Sequence, residues 1–149
     1  MSQQDPNDST VSLRDQKLSL SEKEWQSRLS PESFRVLRQR GTEPPFSGEY
    51  CAHFTKGIYQ CGGCGEDLFH ATDKFDAGCG WPSFARELAG NKIVKKADHS
   101  HGMTRTEIIC ARCDGHLGHV FDDGPTETGL RYCVNSYALI FQPEGAQKK

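Results

Sequence analysis

The sequence predicts a mainly antiparallel β domain, with short helices only at its start and one metal ion as a staple. Three observations predict it. Two Cys-x-x-Cys pairs, Cys61-Gly-Gly-Cys64 and Cys110-Ala-Arg-Cys113, hold four of the seven cysteines. Helical periodicity stops at Gly41. Beyond it, short β-like runs follow at irregular intervals, separated by Gly, Asp, Asn or Pro.

Residues 1–20 are polar, rich in Ser, Gln and Asp, and read as a disordered tail. One domain is expected over residues 21–143, with a flexible tail over 144–149. Ser21-Glu-Lys-Glu24 is a capping box opening a short helix that carries Trp25 and Leu29. Ser30-Pro31 restarts the pattern as N-cap and N1, with Phe34 and Leu37 on one face and Gly41 as the C-cap. Prolines make Thr42-Glu-Pro-Pro-Phe46 rigid and extended. The β-like runs are Gly57–Cys61, Lys92–Lys96, Met103–Cys110, Leu130–Val134 and Tyr137–Phe141. In the third, Thr104, Thr106 and Ile108 alternate with Arg105 and Glu107, as a strand covered on one face should.

The two knuckles match a closed tetrahedral zinc site, with Zn–S bonds of about 2.3 Å and no open position for a substrate. Glycines in or beside each pair let both sulfurs turn toward one ion. Disulfides are the alternative use of so many cysteines, but the paired spacing and the lack of a leader-like N-terminal segment favour a reducing compartment. A net charge of −2, with no basic run longer than two residues, argues against nucleic acid. No apolar stretch is long enough to span a membrane. A monomer in the cytoplasm is expected.

With Cys61, Cys64, Cys110 and Cys113 assigned to metal, the chemistry falls to Cys51, Cys79 and Cys133. Cys79-Gly-Trp-Pro-Ser-Phe84 puts a thiol beside Trp81 in a stiff turn. His116-Leu-Gly-His119 follows the second knuckle as a rigidly held loop. Arg131-Tyr-Cys-Val-Asn135 puts Cys133 in a strand, with Arg131 two residues away on the same face, where it could lower the thiol pKa. Each has a plainer reading: an inert buried cysteine, a packed tryptophan, a hydrogen-bonded histidine pair. From the residues alone, the chain is a zinc-stapled β domain with thiol chemistry open.

From about Ser21 to Phe141 the chain resembles the methionine-R-sulfoxide reductase B family. The resemblance is carried by Gly41-Thr-Glu-Pro-Pro-Phe46, Gly78-Cys-Gly-Trp-Pro-Ser-Phe84, Ser100-His-Gly-Met103, Gly115-His-Leu-Gly-His-Val-Phe121 and Arg131-Tyr-Cys-Val-Asn-Ser136, in that order around both knuckles. It implies two antiparallel sheets, a structural Zn²⁺ and reduction of methionine-R-sulfoxide, free or within proteins. It makes Cys133 the nucleophile and Cys79 the thiol that resolves its sulfenic acid into a disulfide, which thioredoxin reduces. His119 would relay the proton with His116 beside it, and Trp81 would wall the substrate methyl. Asn135 and Arg131 would orient oxygen or thiolate, and Asp123 would hold a histidine or the arginine. Cys51 lies outside these motifs and reads as a spare core or strand residue, with an alternative resolving thiol as the second reading. The competing classes are a zinc ribbon that binds a partner and a zinc hydrolase, the latter needing an open metal position.

Overall fold

The computed structural model describes residues 20–144, so the expected tails lie outside the described residues except at Leu20 and Glu144. Leu20 packs against the core. Helix α1 (Glu22–Arg28) opens with the capping box: Ser21 Oγ accepts from the Glu24 N–H at 3.2 Å, and Glu24 Oε1 accepts from the Ser21 N–H at 2.8 Å. Helix α2 (Pro31–Gln39) starts on Ser30 and buries Phe34, Val36 and Leu37. Its end differs from expectation. Arg40, not Gly41, takes the left-handed conformation (φ 59°), while Gly41 N–H closes on the Arg35 carbonyl at 2.8 Å.

Nine strands follow among the described residues. Strands β1 (Gly57–Cys61), β2 (Asp67–His70) and β9 (Leu139–Pro143) form a three-stranded sheet in the order β2-β1-β9. Strands β3 (Lys74–Phe75), β4 (Ser83–Phe84), β5 (Ile93–Asp98), β6 (Arg105–Cys110), β7 (His116–Phe121) and β8 (Arg131–Val134) form the other sheet, ordered β3-β4-β8-β7-β6-β5. Every pairing is antiparallel. The mainly β class with two antiparallel sheets and short N-terminal helices therefore holds. The last strand begins two residues later than Tyr137, because the Glu43 carboxylate takes the Ser136 and Tyr137 N–H groups at 2.9 and 3.0 Å. That capture folds Ser136–Ala138 into a 3₁₀ turn.

Two expectations fail on one feature of the larger sheet. The segment read as a histidine loop is the strand β7, next to the catalytic candidate's own strand. Its pairing with β6 steps from Ile108↔Gly118 to Ile109↔His116, so Leu117 is an extra residue in a β-bulge. The bulge shifts the side-chain alternation by one and turns residues 116 and 119 to the same face. Their rings are 5.7 Å apart, edge to face. Glu107, read as an outward position on β6, is instead 5% exposed, because that face is covered by α2 and the histidines.

The two sheets meet through aromatic side chains. Phe69 stacks on Phe84 at 4.3 Å, and Tyr59 meets Phe84 edge-on at 5.2 Å. At one end of this core, α1 and α2 cover the Cys-x-x-Cys knuckles, with Trp25 against Gly63 and Leu37 against Gly115.

Candidate active site

The knuckles are two copies of one turn. Gly65 N–H donates to the Cys61 carbonyl and Asp114 N–H to the Cys110 carbonyl, each at 2.8 Å. Cys61 N–H and Cys110 N–H then reach the carbonyls of Glu66 and Gly115 at 2.8 and 2.9 Å. Residues 65 and 114 both have positive φ, 82° and 63°, a conformation glycine adopts freely and aspartate tolerates. The four sulfurs lie within 4.8 Å of one another, with Cys61–Cys113 at 3.6 Å and Cys64–Cys110 at 3.5 Å. A tetrahedron with 2.3 Å Zn–S bonds has sulfur–sulfur edges of about 3.8 Å, so the cluster fits a metal ion with only a slight expansion. Four thiolates around a divalent ion leave net negative charge, and Arg38 and Arg112 stand against it. They donate to the Cys113 and Cys64 carbonyls at 2.7 and 3.0 Å. None of these cysteines lines the pocket that holds Cys79 and Cys133.

That pocket, a cavity of about 230 Å³, lies over β7 and β8. Cys79, Trp81, His119, Arg131, Cys133 and Asn135 all contribute to it, together with Phe121, Arg105 and Thr42. Cys133 on β8 pairs across the ladder with His119 on one side and Ser83 on the other. Gly118 permits the close fit, since a Cβ there would run into the Cys133 carbonyl. Cys79 contacts Ser83 Oγ (3.4 Å), the cross-strand partner of Cys133, and lines the same pocket as Cys133.

The two thiols differ electrostatically. Burial pushes Cys133 up to about 12, reinforced by Cys79; Arg131 pulls the other way and loses. Burial also opposes ionisation of Cys79, but the Ser83 hydroxyl, the Trp81 backbone, Cys133 and Arg131 together bring it below its ordinary value. Arg131 thus does not by itself make Cys133 acidic. Its guanidinium is held bidentately by Asp123 at 2.8 and 3.1 Å and lies over the Phe121 ring at 4.5 Å. Asp123 is the arginine's partner and does not line the pocket.

The histidines are backed by carboxylates that the sequence did not single out. His119 Nε2–H donates to Asp98 Oδ2 and His116 Nδ1–H to Glu107 Oε2, both at 2.7 Å. A carboxylate only accepts, so each bonded nitrogen carries the proton. His119 lines the pocket, whereas His116 stands behind it, its pKa lowered chiefly by burial. The bond from His119 holds the Asp98 carboxyl well below the usual range.

Asn135 sits beneath the pocket. Its Nδ2–H donates to the Leu117 carbonyl of the bulge at 3.1 Å, and its Oδ1 accepts from Glu43 N–H at 3.0 Å. Trp81 Nε1–H donates to the Glu43 carbonyl at 3.0 Å. Glu43, fully buried, therefore ties the 42–47 loop to the tryptophan, Asn135 and the 3₁₀ turn. The pairing partners Asp98, Glu107 and Glu43 carry no signal in spacing; only the register of β5, β6 and β7 brings the first two to the histidines. Cys51 is neither core nor strand. It lies half-buried in a turn, its carbonyl accepting from Lys74 Nζ at 3.2 Å.

Fold and site together define a domain with a four-cysteine cluster able to hold a metal ion at one end and a separate pocket lined by two thiols, a carboxylate-backed histidine and aromatic walls. The SelR domain family matches residues 29–143. The peptide methionine sulfoxide reductase MsrB of Chromohalobacter salexigens is 57% identical over 129 residues, covering 86% of this chain and 97% of that protein. Those of Bradyrhizobium diazoefficiens (51%, 92% of this chain and 99% of that protein) and Agrobacterium fabrum (49%, 88% and 97%) are similar over as much. The chain belongs to the MsrB family of peptide methionine sulfoxide reductases. Among the described residues, no helix is long and apolar enough to cross a membrane.

Proposed function

We propose that the protein reduces methionine-R-sulfoxide to methionine with its own thiols and is recharged by thioredoxin. The observation that carries this reading is the adjacency of Cys133, Cys79 and His119 in one small pocket with Trp81 on its wall. Cys133 sulfur attacks the sulfoxide sulfur to form an S–S-bonded adduct whose oxygen is protonated. That oxygen then passes to the Cys133 sulfur as the S–S bond and the substrate S–O bond break, so methionine leaves and Cys133 becomes a sulfenic acid. The proton that the Cys133 thiol gives up balances the one that the oxygen takes. His119 supports that transfer: Asp98 fixes its Nε2–H and leaves Nδ1 to exchange a proton at the sulfoxide oxygen. Cys79 then attacks the sulfenic sulfur, releasing water and forming the Cys79–Cys133 disulfide. Two electrons from the thioredoxin dithiol restore both thiols.

Trp81 and Phe121 suit the methyl group of the substrate, since sulfur and methyl contacts with aromatic rings contribute about 0.3–1.5 kcal/mol. The Arg131–Asp123 pair and Asn135 act by holding the strand ends and the bulge around the thiol. Cys61, Cys64, Cys110 and Cys113 would hold Zn²⁺, which ties residue 61 to residue 113 and supports folding.

The test is one turnover without reductant, using separate R and S epimers. About one methionine released and two thiols lost per chain, from the R epimer alone, is the expected result. Release from the S epimer, or release with all thiols intact, would overturn it.

A further inference from the structure

We propose that Arg40 is a positioning residue for the acid chemistry of the site: it bridges the two carboxylates that hold His116 and His119, and so sets how strongly each carboxylate pulls on its imidazole. The inference rests on the reading of His119 as a proton donor. Arg40 closes α2 in the left-handed conformation, which aims its side chain along the β5–β6 face. Its Nε and Nη2 donate to Glu107 Oε2 and Oε1 at 3.2 and 3.0 Å, and Nη2 lies 3.6 Å from Asp98 Oδ1. Among the described residues, no other cation is paired with both carboxylates. Arg105 reaches only Asp98, at 3.4 Å.

The physical case is a balance of charge. A buried imidazole 2.7 Å from an unshared carboxylate is stabilised as the cation and becomes a poor acid. Here two carboxylates face two imidazoles. Arg40 reaches both oxygens of Glu107, sharing Oε2 with His116, and the Asp98 oxygen that His119 leaves free, so its charge offsets part of the carboxylate field; at His116 it adds to burial in disfavouring the cation. The remaining charged neighbours do not duplicate it. Toward His119 and Asp98 face Arg105 and Glu107 from β6, His116 from β7 and Cys133 from β8. Over His116, a cleft of about 330 Å³ is bordered by Lys96, Asp114 and Arg38 besides Arg40. Arg38 is bound to the Cys113 carbonyl. Arg40 keeps 55% of its side chain exposed, so it can be replaced without opening the core.

The test compares Arg40→Met and Arg40→Lys in the reduced, metal-loaded protein. Two quantities are followed against pH: the His116 imidazole titration by NMR, and methionine release in one turnover. In Arg40→Met the His116 midpoint and the alkaline limb of release should both move upward by at least about half a pH unit. Arg40→Lys, which keeps the charge, should restore both. A folded Arg40→Met protein that titrates as wild type would overturn the inference, as would a uniform loss of rate at every pH in both variants. If Arg40→Met does not fold, Arg40→Gln, neutral but able to donate to Glu107, carries the same comparison. A moved midpoint in a protein that releases no methionine would sink the reductase reading and leave the Arg40 coupling standing. Release with an unmoved midpoint would do the reverse.

Discussion

His119 and Cys133 are direct cross-strand partners on β7 and β8, on the face that lines the pocket. Directly opposed residues of an antiparallel pair have Cβ atoms about 4.5–5.5 Å apart. A ladder sets that separation more rigidly than a loop could. It also explains Gly118, whose missing side chain lets the Cys133 carbonyl sit against β7. The proton-bearing ring and the thiol therefore keep their spacing whether or not substrate is present.

The thiols should react in an order opposite to the roles proposed for them. Cys133 is held protonated up to about 12 by burial, whereas Cys79 ionises more readily than an ordinary cysteine. Cys51 is raised, chiefly by burial. In the reduced protein near pH 8, limited iodoacetamide should label Cys79 first, read by peptide mass analysis. First labelling at Cys133 would mean that the resting pocket ionises it after all.

Serine variants separate the two steps. Cys133→Ser should release no methionine with any reductant. Cys79→Ser should release about one equivalent in a single turnover yet lose thioredoxin-supported cycling, because no second thiol forms the disulfide. Equal cycling by Cys79→Ser and wild type would remove Cys79 from the resolving role and turn attention to Cys51.

Much of this architecture was legible in the chain because it rests on local signals. Ser21-Glu-Lys-Glu24 caps α1 as its spacing predicts, and the knuckles bring Cys61, Cys64, Cys110 and Cys113 together. What escaped is non-local. The histidine strand was hidden because the Leu117 bulge breaks its alternation, and Glu107 reads as an outward residue until α2 covers it. Asp98 lies 21 residues before its partner His119, and only the β5–β6–β7 register joins them. The electrostatic order of Cys79 and Cys133 also escaped, since burial outweighs the arginine that sequence placed nearby.

The metal cluster should govern stability more than chemistry. Cys113 is buried and Cys64 half-buried, and the helices α1 and α2 pack on their turns. Metal binding contributes about 10–16 kcal/mol in small zinc modules, as large as the 5–15 kcal/mol that holds a typical domain folded. Cys64→Ser or Cys113→Ser should leave the protein unfolded or molten, followed by near-UV circular dichroism, and chelation of the wild type should do the same. A chelated protein with an unchanged thermal midpoint would show that the β core alone sustains the fold.

Acid should weaken the protein through Asp98. Its carboxyl is depressed in the folded state, first by the bond from His119 and then by the Ser100 N–H and hydroxyl. A depressed carboxyl contributes stability that is fully present above its unfolded value, about 3.9, and is lost as pH falls through the folded value. Arg40 and Arg105 lose their shared partner in the same window. Asp98→Asn removes the titrating group while keeping its size, so its urea midpoint should lie below wild type at neutral pH. The gap should then narrow as pH drops below about 4, where Asp98 of the unfolded chain takes up its proton while the folded carboxyl still resists. Parallel curves for the two proteins down to the lowest accessible pH would mean that the His119–Asp98 bond contributes nothing to folding, and that its place in the ladder serves the pocket alone.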